Sequence, residues 1–87
     1  MKTMKRIAVI GAILEQPQLC QKPFNDTVSS FKGIVKGRMG IPFEEENMAI
    51  VSITVLADID EINALTGKLG SLPHVTVKTA ISDKTVS

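Results

Sequence analysis

Cys20 and His74 are the single cysteine and the single histidine of this chain, and they are the side chains best suited to nucleophilic or metal chemistry near neutral pH. A Cys–His dyad is conceivable, but Cys20 falls on an apolar stripe where a cysteine packs as a small hydrophobe. His74 follows Leu72-Pro73 and reads as a solvent-exposed turn residue ahead of a strand. Two soft ligands are also too few for a structural zinc site, so no metal and no cofactor is expected. The run Glu44-Glu45-Glu46 could gather carboxylates around a cation. Beside Pro42 and ahead of Asn47 it equally suits a solvated connection between strands. What remains are the cations Lys36, Arg38 and Lys78, which could meet an anion, and the mixed set Met48, Ile50, Ser52 and Thr54, which could form a contact surface.

These residues need a scaffold, and the composition limits its kind. The chain has 87 residues, 44% hydrophobic and 22% charged, which describes an ordinary globular chain over residues 1–87, read as one domain. A chain this short buries only about 60% of its unfolded surface, so self-association is a natural way to add buried area. Its longest apolar stretches, Ile7 to Leu14 and Met48 to Ala57, fall well short of a bilayer span, and no secretory cleavage pattern follows the first. A cytoplasmic protein without a membrane segment is expected. The net charge of +1 divides into +5 over residues 1–40 and −4 over residues 41–87. Since both halves share one small core, the split suits complementarity within or between chains. The alternative is an oligomer presenting Lys2, Lys5, Arg6 and Arg38 to nucleic-acid phosphates.

The periodicity supplies the elements. Residues 4–14 are rich in Ile, Val and Ala on both parities, as in a central strand covered on both faces. Cys20, Phe24, Val28 and Phe31 recur at helical spacing, with an irregular start expected from Pro17 and Pro23 and a stop at Gly33. Residues 34–41 alternate with Val35, Met39 and Ile41 on one face and Lys36 and Arg38 on the other, predicting a half-exposed strand. Met48 to Ala57 predicts a third strand, with Ala49, Val51, Ile53 and Val55 apolar on one side and Met48, Ile50, Ser52, Thr54 and Leu56 on the other. Asp58 and Glu61 have capping-box spacing and open a second helix carrying Ile62, Leu65, Leu69 and Leu72. Gly70 is its expected left-handed exit and Pro73 its stop. His74 to Ile81 alternates as the last strand.

The order β-α-β-β-α-β predicts an α+β, ferredoxin-like sandwich, a four-stranded antiparallel sheet with two helices on one face. The uncovered face is then expected to carry Met48, Ile50, Ser52, Thr54, Lys36, Arg38 and Lys78. With no Asp or Glu inside a predicted strand, it should be electropositive and available for contact or for an anion, unless Lys36 and Lys78 only guard the edges against aggregation. An RNA-recognition module would need aromatic residues on the central strands. Phe24, Phe31 and Phe43 lie on none. An acylphosphatase-like site would need an arginine-bearing phosphate cradle after the first strand, and Glu15 to Gln18 contain none. No base, nucleophile and oxyanion arrangement is evident, so no enzyme is expected.

One combination is more distinctive. Gly37-Arg38-Met39-Gly40-Ile41-Pro42, Glu45-Glu46-Asn47-Met48-Ala49-Ile50, Leu65-Thr66-Gly67-Lys68-Leu69-Gly70 and Val75-Thr76-Val77-Lys78-Thr79 closely resemble the iron-only hydrogenase system regulator family, over residues 24–81 and more loosely over the first strand. The resemblance implies an ACT-like domain, related in fold to the C-terminal domain of the nickel-responsive repressor, forming dimers or tetramers. It implies a non-enzymatic sensor in transcription regulation with a small-molecule effector. With one histidine, the chain has no counterpart of that repressor's histidine-rich metal site. Direct DNA binding would need a partner, because every predicted element is used by the sheet and its two helices.

Overall fold

A computed structural model describes residues 4–86. Its elements are β1 (Lys5–Glu15), α1 (Pro17–Ser30), β2 (Val35–Phe43), a short 3-10 turn (Glu44–Glu46), β3 (Met48–Ala57), α2 (Ile59–Gly70) and β4 (Val75–Val86). All pairings are antiparallel and the sheet order is β2-β3-β1-β4. Each helix therefore belongs to a connection that skips one strand, β1 to β2 and β3 to β4. This is the ferredoxin-like arrangement expected from the element order.

Side-chain parity builds the core. Ala8, Ile10, Ala12 and Leu14 of β1 pair with Val55, Ile53, Val51 and Ala49 of β3, and both rows point toward the helices. Against them lie Cys20, Phe24 and Val28 of α1 and Ile62, Leu65 and Leu69 of α2, all buried. Burying each large apolar side chain contributes about 1.5–3 kcal/mol, so these two rows and two stripes are the main stabilising term. Both helices lie on this one face.

The helix ends differ from expectation in instructive ways. Asp58 caps α2 as its spacing predicts, accepting from the Glu61 N–H at 2.8 Å. The left-handed exit is not at Gly70, which remains helical. Positive φ falls instead on His74, at 69°, and also on Gln16 (52°) and Asn47 (53°). A left-handed conformation costs a non-glycine residue roughly 1–2 kcal/mol, and here backbone bonds hold the three together. The Glu15 N–H donates to the His74 carbonyl at 2.8 Å, and the Gln16 N–H to the Asn47 carbonyl at 2.9 Å. Three connections are thus stitched at one end of the sheet. Helix α1 starts at Pro17 rather than near Cys20, with proline in the first turn where its missing N–H is harmless. It continues past Pro23, whose carbonyl accepts from Thr27 Oγ1 at 2.9 Å.

Two register shifts change which residues face where. Val35 pairs with Val55, but the next pairing is Gly37 with Thr54, so β2 carries one extra residue at Lys36. Such a bulge reverses strand parity beyond it. In β4, Ala8 pairs with Ile81 and Arg6 with Thr85, leaving extra residues around Asp83. The outer strand thereby extends to Val86, beyond the expected end at Ile81.

Candidate functional site

The bulge at Lys36 overturns one expectation about the contact face. Arg38 pairs with Ile53, Gly40 with Val51 and Pro42 with Ala49, so these three lie on the helix side. Met39, Ile41 and Phe43 pair with Ser52, Ile50 and Met48 and turn to the uncovered side. Alternation in an uninterrupted strand put Arg38 beside Lys36 and Lys78 on the open face. The inserted residue moves Arg38 to the opposite face. Lys78 does stay on the open face, beside Gly11 across the β1–β4 pairing. An anion held jointly by Arg38 and Lys78 of one chain is therefore excluded by geometry.

The open face is more apolar than expected. Met48, Ile50, Ser52 and Thr54 lie there as the β3 alternation predicts. The bulge adds Met39, Ile41 and Phe43, and β1 adds Ile7, Val9 and Ile13. Met39 is 61% exposed, and Ile7, Val9 and Ile41 are each 47% exposed. The expected absence of acids from the strands is also corrected. β1 reaches Glu15, opposite Met48, and β4 includes Asp83. The result is an apolar field with charge toward its margins, rather than an electropositive surface.

The helix side of β2 forms a second feature. Arg38 Nη2 donates to Asn25 Oδ1 at 2.6 Å, and the guanidinium lies 5.7 Å above the Phe24 ring. Between α1 and β2 a groove of about 250 Å³ is lined by Gln21, Arg38, Gly40 and Pro42 over a floor of Leu14 and Val51. A second groove of about 250 Å³ shares Gln21, Pro42 and Ala49 with it and reaches Glu44 and Asn47. Strand alternation alone hides this site, because without the bulge it places Arg38 on the other face.

The remaining candidates separate in space. The Cys20 thiol is buried and faces the carbonyls of Glu15 and Gln16 at 3.7 and 3.9 Å. His74 is exposed, and among the described residues no hydrogen bond joins it to Cys20. Burial raises the thiol pKa by desolvating the thiolate. A raised folded-state pKa contributes stability that is complete below the unfolded thiol's pKa and is lost as pH climbs through the folded one. Unfolding in urea should therefore require less denaturant above about pH 8.5, and Cys20→Ala should remove part of that alkaline decline. An identical alkaline slope in the variant would contradict this placement. Glu44 to Glu46 are exposed in their 3-10 turn, and among the described residues no group of metal-ligating side chains converges. Lys5 and Arg6 point to opposite faces and Arg38 lies across β3 from them, while Lys2 lies outside the described residues. No described helix is long and apolar enough to cross a membrane.

Comparison with known proteins places this arrangement. Residues 6–79 match the family model described as "TM1266-like: Iron-only hydrogenase system regulator, putative". The chain is 35% identical to the uncharacterized protein TM1266 from Thermotoga maritima, whose solved structure superposes with a TM-score of 0.85 over 88% of this chain and 96% of that one. No curated protein matches the chain.

Proposed function

The chain belongs to the TM1266-like family of iron-only hydrogenase system regulators, and from that premise we propose that it is a non-enzymatic regulatory module working as a self-associated pair, two copies docked through their uncovered sheet faces. One observation carries this reading. β1 is apolar on both parities, the composition of a strand covered twice, yet within one chain the helices cover only Ala8, Ile10, Ala12 and Leu14. Ile7, Val9 and Ile13 on its other face remain exposed together with Met39, Ile41 and Phe43. Apolar residues scattered singly need no explanation, but a contiguous field across three strands marks an interaction surface. A second copy fits it because two sheets can pack face to face through their apolar sides. The small core of one chain also favours additional burial.

The helices support an indirect role in transcription. Both described helices use their apolar stripes on the sheet, so neither is free as a reading element and DNA would be reached through a partner. Sedimentation velocity from low to high micromolar protein should show a dimer that persists on dilution into the low micromolar range. A monomer throughout that range would overturn the proposal.

A further inference from the structure

We propose that the groove between α1 and β2 binds a short aliphatic monocarboxylate, its carboxylate on Arg38 and its chain against Pro42 and Ala49. The groove lies on the helix side of the sheet and needs no second copy to exist. Arg38 presents a planar fork of donors suited to a carboxylate. One donor is engaged with Asn25 Oδ1 at 2.6 Å, and the guanidinium rests over Phe24 at 5.7 Å. These contacts orient the side chain before any ligand arrives, reducing the ordering cost of binding. Among the described residues the ion pair formed is Lys22 with Asp26, and no carboxylate pairs with Arg38.

Polarity narrows the ligand class. The groove of about 250 Å³ has ample room for a molecule about the size of a branched five-carbon acid. Pro42 and Ala49 offer such a body apolar contact above the nearly buried Leu14 and Val51, and Gln21 lines the wall. A phosphate would bring nearly two charges to a single guanidinium and no apolar body for Pro42 and Ala49 to touch. A second carboxylate extending into the adjoining groove would approach Glu44. Gly40 keeps the groove open. A Cβ added there would come no closer than 4.0 Å to the Ile50 carbonyl, an ordinary contact, so a larger residue can be placed without backbone strain.

The test is an amide NMR titration of the full chain with isovalerate at constant ionic strength, with neutral isovaleramide and inorganic phosphate in parallel. Saturable shifts at Gln21, Asn25, Arg38 and Gly40 are expected, with isovaleramide about tenfold weaker or more, since it lacks the charge that Arg38 would meet. Arg38→Gln should weaken isovalerate by a similar factor. Gly40→Val should abolish binding by filling the groove while leaving the spectrum otherwise native. Absence of saturable shifts, equal binding of isovaleramide, phosphate binding more tightly than isovalerate, or undiminished affinity in both native-like variants would each overturn the assignment. Sedimentation of the same samples reads the pairing face separately, so either result can fail without the other.

Discussion

Phe24→Ala is expected to lower the stability of the chain by about 3–5 kcal/mol, the range for removing a fully buried aromatic side chain. Phe24 is 0% exposed and is among the largest side chains in the core. It sits midway along the α1 stripe between Cys20 and Val28, in the same core cluster as the β1 and β3 rows. A domain of this size has a total stability of roughly 0.05–0.15 kcal/mol per residue. The substitution should therefore remove a large share of it, lowering the urea midpoint steeply. Phe24→Leu should cost less, because more of the volume is retained. The same ring supports Arg38, so any chain of the alanine variant that still folds should hold the guanidinium less firmly and bind isovalerate more weakly. A midpoint shift equivalent to less than about 1 kcal/mol would mean that α1 does not anchor the core in this way.

Combining Val9→Lys with Ile41→Lys should weaken self-association by about a hundredfold or more. Both residues are 47% exposed on the uncovered face, one on a central strand and one on an edge strand. Burying the exposed half of each contributes about half of the 1.5–3 kcal/mol of full burial, and in a two-fold pair each loss is felt on both sides. Lysine also resists burial while its long stem still suits a strand edge. The double variant should sediment as a monomer at concentrations where the parent is dimeric. Its melting temperature should no longer rise with protein concentration, as it does when association stabilises the fold. Far-UV circular dichroism should remain that of the parent, because the helix-side core contains neither residue. A variant that keeps its fold and still dimerises with parental affinity would move the interface elsewhere, to a sheet edge or a helix.

The architecture was readable because local signals agreed with one another. The Cys20-Phe24-Val28 stripe, the Asp58 cap before Ile62-Leu65-Leu69, and the β-branched run of Met48 to Ala57 each specify an element without tertiary help. Their order then admits few topologies. The family resemblance, quoted from residues 37–42 and their companions, reinforced the same fold. Element ends were less legible. Residues 82–86 lack strict alternation, and their strand forms because β1 extends to Lys5 and supplies a partner. The left-handed positions at Gln16 and His74 had no glycine to announce them, and they hold through backbone bonds between connections distant in sequence.

By itself, the sequence determined the element order, the two helix stripes, the core row of β3, and the apolar character of both faces of the first strand. These are periodic properties, carried by residues two or three to four apart. Only the tertiary structure decided the side on which Arg38 lies. Pairing with β3 leaves Lys36 as an extra residue and reverses every side chain after it, from Arg38 to Phe43. Alternation along one strand cannot register a bulge, because a bulge is a mismatch between two strands and exists only once both are aligned. That one-residue mismatch sends Met39, Ile41 and Phe43 to enlarge the apolar face and sets Arg38 beside α1, where Asn25 and Phe24 hold it over the groove.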